Sequence, residues 1–329
     1  MDILFVTGAD ATFFPTLLVT MQSFADRIEA QPLYVCDYGL EPPQAEFLRR
    51  RGLLLEFPPT LMRGLHPYRY KGALHEFIQN SVFPKDSYDA VVWLDGDLTL
   101  LNATFADFTQ VVAEMMEDGA EIALTPTIDN LSIAELTDSL EARGQFLAPF
   151  RRLVADTAVD PALPYLSCGI LFCRNMDILE RWRDLSLVIT HHHLVEQNVL
   201  NVLLRRNGVP LKLLDCRTWQ LYDAPLDRVA SALETGIPAE IDGQKLLILH
   251  TSSSKPDHLF VRVGTLQAGD VVLEGVFKLF MPETLLSHQL NLLARFLGNN
   301  GPELVELGIC RRADTFVDGM QFNAPAEEP

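Results

Sequence analysis

Short apolar runs alternate with amphipathic segments along most of the chain. The runs have the length of β-strands, and the segments behind them carry apolar residues at helical spacing, as at Phe13, Leu17, Met21 and Phe24. The predicted strands are 2–7, 33–36, 53–57, 90–94, 121–125, 165–173, 210–214 and 245–249. Predicted helices follow at 43–51, 72–82, 105–116, 132–154, 176–189, 194–205 and 283–298. This alternation predicts an α/β fold with a Rossmann-like, mostly parallel, doubly wound sheet.

The pattern changes near residue 265. Two short apolar segments, 259–263 and 271–277, are separated by Gly264 and Gly269, which predicts a β-hairpin. The last dozen residues are rich in proline and glutamate and predict a loose tail. The expected domains are an α/β domain over 1–265 and a C-terminal extension of hairpin, helix and tail over 266–329.

Composition restricts the partners and the cellular compartment. Apolar residues make up 48% of the chain and charged residues 21%, as in ordinary globular proteins. The net charge of −18 argues against extended binding to nucleic acid or anionic lipid. Five cysteines in mostly apolar surroundings predict buried thiols in a reducing compartment. The chain starts directly with a strand, and no apolar run approaches the ~20 residues that span a bilayer. We therefore expect a cytoplasmic protein that is not an integral membrane protein.

The strongest chemical signal follows the strand at 90–94. This strand ends in Asp95-Gly96-Asp97, so two carboxylates lie one residue apart with no cation beside them in sequence. In open α/β sheets, ligands bind at the carboxyl ends of strands. Two such carboxylates repel each other unless a divalent cation bridges them. The pattern predicts a metal site at Asp95 and Asp97, with Gly96 allowing a tight turn around the ion.

Polar or small residues stand at four other places where a strand ends or a helix begins. They are Thr7 and Asp10 after the first strand, Ser167 and Gly169 in strand 165–173, Glu196 and Gln197 in helix 194–205, and His250, Lys255 and Pro256 after the last predicted strand. A small-residue break within a strand lets a ligand approach the backbone. These places are candidate contacts for a ligand held at the acidic pair.

The order of these motifs resembles glycosyltransferase family 8, the retaining sugar transferases of the GT-A fold that include glycogenin and the bacterial lipopolysaccharide galactosyl- and glucosyltransferases. The resembling positions are Asp10 with Phe13 and Phe14, Asp95 and Asp97, Ser167 with Gly169, Glu196, Gln197 and Asn198 with Asn201, and His250 with Lys255 and Pro256. The resemblance extends from residue 1 to about residue 260. The chain departs from it at Ser167, Asn198 and Ser253, where the family usually has Asn, Asp and Gly.

This resemblance implies a GT-A fold, a nucleotide-sugar donor such as a UDP-hexose, and transfer with retention of configuration. It implies that Asp95, Asp97 and His250 hold Mn²⁺ or Mg²⁺. It also implies that Gln197, with Glu196 beside it, faces the anomeric carbon. The acceptor, whether glycan, lipid or protein, and the formation of a homo-oligomer stay open.

The resemblance also implies a set of donor contacts. These are Thr7, Asp10, Lys71, Ser167, Gly169 and Lys255. Arg69 and Lys71 both lie where the family has a basic residue that contacts the donor, and the sequence leaves open which of the two does so.

Two other functions are compatible with parts of the sequence. Asp95-Gly-Asp-Leu-Thr99 matches the Asp-x-Asp-x-Thr motif of haloacid-dehalogenase-type phosphatases, with Asp95 as nucleophile, Asp97 as acid/base, and Lys255 and Asp270 in later motifs. That motif normally follows the first strand, whereas three predicted strands precede it here. The other alternative is a non-catalytic module that binds sugar nucleotides. The presence of both aspartates together with His250 argues against it.

Overall fold

The computed structural model describes residues 1–81, 88–223, 226–233, 236–237, 240–241, 243–252 and 258–323. The helices are α1 (Phe14–Arg27), α2 (Pro42–Arg50), α3 (Pro67–Gly72), α4 (Leu74–Gln79), α5 (Phe105–Asp118), α6 (Ile133–Ala142), α7 (Ala148–Thr157), α8 (Met176–Val188), α9 (Val195–Arg206), α10 (Cys216–Trp219), α11 (Leu226–Leu233) and α12 (Glu283–Glu306). The strands are β1 (Ile3–Ala9), β2 (Leu33–Asp37), β3 (Leu54–Leu55), β4 (Ala90–Leu94), β5 (Leu98–Leu100), β6 (Ile122–Pro126), β7 (Leu166–Cys173), β8 (Leu211–Leu213), β9 (Glu240–Ile241), β10 (Gln244–Lys245), β11 (Ile248–His250), β12 (Leu259–Phe280) and β13 (Cys310–Asn323).

Seven of these strands form one sheet in the order β3-β2-β1-β4-β7-β6-β8. The predicted α/β fold is therefore confirmed. Strand β4 pairs in parallel with β1, and β8 pairs in parallel with β6, whereas β7 is antiparallel to both β4 and β6. The sequence pattern could not predict the direction of β7. Every residue of this strand is buried, and a continuous buried run fits a parallel or an antiparallel strand equally well.

The chain divides into two compact units. The first unit comprises Met1–Val6, Leu55–Leu94 and Ala106–Trp219. The second comprises Thr7–Leu54, Asp95–Phe105 and Gln220–Pro329. The boundary near residue 265 that the sequence suggests stays a prediction.

The core of the first unit is aromatic. Phe108 of α5 contacts Phe5 at 5.0 Å between ring centroids, Phe172 at 5.8 Å and Trp219 at 5.3 Å. Edge-on and tilted ring pairs of this kind add to the free energy gained by burial alone. They join α5 and α10 to β1 and β7 of the sheet.

The second unit contains α1, α12 and three antiparallel strand pairs among its described residues. These pairs are β5 with β11, β9 with β10, and the long β12 with β13. Gln289 of α12 and the α1 residue Thr20 are both buried and polar, and each makes hydrogen bonds to the short β5 strand or to the turn before it. This unit therefore supplies the support around the acidic pair.

The predicted hairpin over 259–263 and 271–277 is wrong, because both segments belong to the single strand β12, whose partner is β13. Gly264 does not turn the chain: a side chain there would meet the Phe322 ring at 2.9 Å. Gly269 has a φ of 61° and lies at an irregularity in the β12–β13 register. Gly264 thus allows a close approach of Phe322, and Gly269 occupies a bulge in the same strand.

The predicted loose tail is wrong for its first half, since β13 continues to Asn323, and residues 324–329 lie outside the described part of the chain. All five cysteines are buried, as predicted. Burial raises the pKa of the Cys173 and Cys310 thiols to about 12. Among the described helices, none is both long and apolar enough to cross a membrane.

Candidate functional site

Asp95, Gly96 and Asp97 form the turn between β4 and β5. The Leu98 amide donates to the Asp95 carbonyl at 3.2 Å, and the Thr20 hydroxyl lies 2.9 Å from the Gly96 carbonyl. A Cβ at Gly96 would come within 3.1 Å of the Gly8 carbonyl. Gly96 is not among the described glycines that have a positive φ. Glycine is therefore favoured here by the close approach of two backbones rather than by a left-handed conformation.

His250 reaches the acidic pair through antiparallel pairing. It is the last residue of β11 and stands opposite Leu98 of β5, and the Thr251 amide donates to the Asp97 carbonyl at 3.0 Å. Its Nε2 atom lies 3.8 Å from Asp95 Oδ2 and 3.3 Å from Asp97 Oδ1. His250 is therefore joined to the acidic pair by a two-stranded antiparallel ribbon, and not by parallel strands that end at one edge of a sheet.

The three side chains are suited to a divalent cation. Asp95, Asp97 and His250 each offer one ligand atom, and these atoms all lie within 4.8 Å of one another. Adjacent ligands of an octahedral ion with bonds of about 2.1 Å are about 3 Å apart, so small side-chain movements would complete the set. Two carboxylates with one imidazole suit Mn²⁺ or Mg²⁺ better than a softer metal.

Lys278 is a fourth member of this cluster that the sequence analysis missed. Its Nζ atom lies 2.5 Å from Asp97 Oδ2. Burial by itself raises the pKa of the Asp97 carboxyl, but the Lys278 ammonium and the His250 imidazole outweigh burial and hold that pKa well below its usual range. Lys278 lies on β12, far from every motif in sequence, and no local pattern marks it.

A buried glutamine fixes the elements around the cluster. The Gln289 side chain accepts a hydrogen bond from the Phe280 amide at 2.9 Å and donates to the hydroxyls of Thr99 at 3.2 Å and Thr251 at 2.9 Å. It therefore connects α12 to β5, to the residue after His250 and to the end of β12. Nothing in the local sequence distinguishes Gln289 from a polar residue on the exposed face of a helix.

The predicted donor contacts of the second unit lie at the end of β1. Thr7 is fully buried, and its hydroxyl makes no hydrogen bond within the described residues. Asp10 accepts a hydrogen bond from the Phe13 amide at 2.8 Å, at the entrance of α1. Lys255 lies outside the described residues.

In the first unit, Gln197 is fixed to β7. Its Oε1 atom accepts a hydrogen bond from the Cys168 amide at 3.0 Å. This amide is available because β7 bulges: Leu124 and Thr125 of β6 are paired with Leu171 and Ser167, leaving the β7 residues between them without β6 partners. The amide nitrogen of Gln197 makes no hydrogen bond in the part of the chain that is described. The side chain is thus oriented and retains a donor.

Ser167 and Gly169 lie in the same bulge. The Gly169 amide is 3.5 Å from the Ser167 hydroxyl, and both residues are buried. The neighbouring Leu166 is held by Asn201, whose side chain exchanges two hydrogen bonds of 2.8 Å with the Leu166 backbone. The structure therefore brings Ser167, Gly169 and Gln197 close together. Their roles as donor and catalytic contacts stay predictions.

Glu196 and Lys71 are unusually buried for charged residues, with exposures of 2% and 6%. The Glu196 carbonyl accepts a hydrogen bond from Trp182 Nε1 at 2.7 Å, and Lys71 Nζ lies 5.5 Å from the Trp93 ring centroid. Their roles in catalysis and donor binding stay predictions.

Arg69 has a structural role. Its guanidinium donates to the Leu187 carbonyl at 3.0 Å and also to the carbonyls of Ser186 and Ile189, at the C-terminal end of α8. A guanidinium at this position satisfies carbonyls that the helix itself leaves unpaired. Which of Arg69 and Lys71 contacts the donor stays open.

Comparison with known proteins gives a likeness at the level of fold. A scan against protein-family models finds no match, and a search of curated proteins finds none either. Solved structures with similar folds include glycosyltransferases. The galactosyltransferase LgtC, solved with donor and acceptor sugar analogues, is 15% identical with a TM-score of 0.44 over 78% of this chain and 88% of its own.

The glycosyltransferase GlyE of Streptococcus pneumoniae is 14% identical with a TM-score of 0.46, over 95% of this chain and 66% of its own. The bifunctional glycosyltransferase WbbM is 9% identical with a TM-score of 0.48 over 76% of this chain, which spans only 45% of the length of WbbM. These likenesses concern the overall fold, and the GT-A type stays a prediction. Membership of family 8 stays a prediction.

Proposed function

We propose that this chain is a metal-dependent glycosyltransferase that moves a hexose from a UDP-sugar to an acceptor with retention of configuration. The observation that carries this proposal is the convergence of Asp95, Asp97 and His250. The order of sequence motifs that resemble family 8 also supports it.

Asp95, Asp97 and His250 would hold Mn²⁺ or Mg²⁺. The bound ion would supply positive charge to the diphosphate and so stabilise the leaving group as the glycosidic bond breaks. Because Gln289 and Thr20 fix the backbone around the two aspartates, the ligands are preorganised and need little rearrangement.

Gln197 is the residue that we assign to the reacting carbon. The Cys168 amide holds its carbonyl oxygen, so its amide nitrogen can donate to an oxygen of the donor or acceptor. Glu196, adjacent to it, contributes a buried carboxyl group. The donor contacts that we propose are Thr7, Asp10, Lys71, Ser167, Gly169 and Lys255.

The phosphatase alternative is less well supported. It requires Asp270 to join Asp95 and Asp97, but the Asp270 carboxylate forms an ion pair with Arg312 on the β12–β13 ribbon. The group of described side chains that could hold a metal ion contains His250 and not Asp270. The cytoplasmic location, a homo-oligomeric state and a C-terminal extension beginning near residue 265 belong to the same proposal.

The proposal is tested by incubating the purified chain with UDP-glucose and with UDP-galactose, with Mn²⁺ or with EDTA, and measuring released UDP. We expect slow donor hydrolysis that requires the metal and is lost in Asp95→Asn. Thermal shift should show that UDP with Mn²⁺ stabilises the protein more than either alone, since ligand at about 100 times its Kd adds about 2.7 kcal/mol. Arg312→Gln, an exposed change in the same unit, is the control. Absence of UDP release together with hydrolysis of p-nitrophenyl phosphate would favour the phosphatase.

A further inference from the structure

Lys278 is a cation built into the acidic cluster. Its ammonium contacts Asp97, and only 21% of its side chain and 9% of the Asp97 side chain are exposed. An ion pair this protected from water is screened much less than one on the surface. The contact is therefore a defined part of the site rather than an incidental surface pair.

The two carboxylate oxygens of Asp97 face two different groups. Oδ1 lies 3.3 Å from His250 Nε2, which is itself 3.8 Å from Asp95 Oδ2, whereas Oδ2 lies 2.5 Å from Lys278 Nζ. The geometry thus separates a side of Asp97 that is available to a metal from a side that lysine occupies.

The position of Lys278 is fixed from its backbone outward. Its amide donates to the Thr16 hydroxyl at 3.0 Å, and its ammonium lies 6.0 Å from the centroid of the Phe13 ring, at the outer limit of a cation–π contact. Both partners lie at the start of α1. The ammonium is therefore directed towards Asp97 by β12 and by the first turn of α1.

We propose that Lys278 is the resident counter-cation of the Asp95–Asp97 pair and that it weakens the affinity of the pair for a free divalent cation. This inference rests on the proposed function, because it takes the pair as the cation site.

The physical reason is the charge that an arriving ion meets. Among the described residues of the cluster, Asp95 and Asp97 contribute two negative charges and Lys278 contributes one positive charge. A dication that approaches the pair is therefore attracted less strongly than it would be without the ammonium, which repels it. A nucleoside diphosphate brings new negative charge and offsets this repulsion. Lys278 therefore makes metal binding depend on the anionic ligand, which is a coupling between two binding events.

The test is the affinity for Mn²⁺ in the absence of nucleotide, measured by calorimetry and by the electron paramagnetic resonance signal of free Mn²⁺. The variants are Lys278→Met, which removes the charge, and Lys278→Arg, which keeps it. Lys212→Met is the matched control. It changes the net charge by the same amount, but Lys212 pairs with Glu114 and Asp118 and not with Asp97.

We expect Lys278→Met to bind Mn²⁺ about tenfold tighter or more than the unchanged protein, since one like charge at short range is removed. Lys278→Arg and Lys212→Met should stay close to the unchanged protein. Addition of UDP should tighten Mn²⁺ binding strongly in the unchanged protein and less in Lys278→Met. If Lys278→Met is poorly folded by circular dichroism, Lys278→Gln replaces it, since it keeps a donor to Asp97 without the charge.

Equal Mn²⁺ affinities for Lys278→Met and the unchanged protein, with UDP still tightening binding in both, would overturn the role of Lys278 and leave the proposed function standing. If neither protein binds Mn²⁺, with or without UDP, the cation site itself is refuted, and the proposed function fails together with this inference.

Discussion

Replacement of Asp97 by alanine tests whether the acidic pair strains the fold or stabilises it. From the sequence alone, two adjacent carboxylates are a repulsive element, and Asp97→Ala should cost little stability. The structure reverses this expectation, because Asp97 is buried against Lys278 and His250. Breaking a buried pair by removing one partner costs about 3–5 kcal/mol.

The expected loss for Asp97→Ala is smaller than this upper figure. Lys278 keeps 21% of its side chain in contact with solvent, so its ammonium is partly hydrated when Asp97 is absent. Repulsion from Asp95 also disappears. We therefore expect a decrease of about 2–3 kcal/mol in the free energy of unfolding. A change of this size corresponds to a fall of roughly 4–12 °C in Tm.

The assay is urea unfolding followed by tryptophan fluorescence in the presence of EDTA, so that no metal stabilises either protein. The double variant Asp97→Ala with Lys278→Met completes a mutant cycle and isolates the interaction between the two side chains. The control is Asp270→Ala, which removes an ion pair with Arg312 whose side chains are about half exposed, and which should cost about 0–1 kcal/mol. Equal unfolding midpoints for Asp97→Ala and the unchanged protein would refute the stabilising role of Asp97.

The same ion pair predicts how stability depends on pH. The pKa of Asp97 is lower in the folded protein than in the unfolded chain, where it is about 3.9. The contribution of the ionised Asp97 carboxylate to the free energy of unfolding is therefore fully present above about pH 3.9. It is lost as the pH falls towards the lowered pKa of the folded state. The difference in unfolding free energy between the unchanged protein and Asp97→Asn should shrink as the pH falls below about 4. A difference that grows on acidification would contradict this sign.

Three further changes follow from the site. Gln289→Leu should lower the free energy of unfolding by about 1–3 kcal/mol, because it leaves the buried Phe280 amide without its acceptor; urea unfolding measures this, and an unchanged midpoint would contradict it. Gly96→Ala should weaken Mn²⁺ binding in the presence of UDP, since its Cβ would press on the Gly8 carbonyl; calorimetry showing unaltered affinity would argue against that contact. Gln197→Ala should lower kcat while the Kd for UDP stays nearly unchanged, and nuclear magnetic resonance of the product should show retained configuration; a larger effect on UDP binding than on kcat would remove Gln197 from the reacting centre.

Much of the local structure was predictable from the sequence. Helices α1, α5, α8 and α9 and strands β1, β4 and β7 lie close to their predicted positions, because each has an apolar pattern of the right period. The hairpin prediction failed at Gly264 and Gly269. Glycine is compatible with a turn, a bulge and a close contact, and only the partner strand β13 decides among them.

The α/β elements could be predicted because periodicity is a local property, and the residue types at Asp95, Asp97 and His250 were enough to suggest a cation site. The antiparallel strand that carries His250 and the contact of Lys278 with Asp97 are known only from the folded chain. The latter two residues are 181 positions apart along the chain. A contact over such a distance leaves no periodic trace in the sequence, since it depends on how β12 pairs and packs rather than on its own composition.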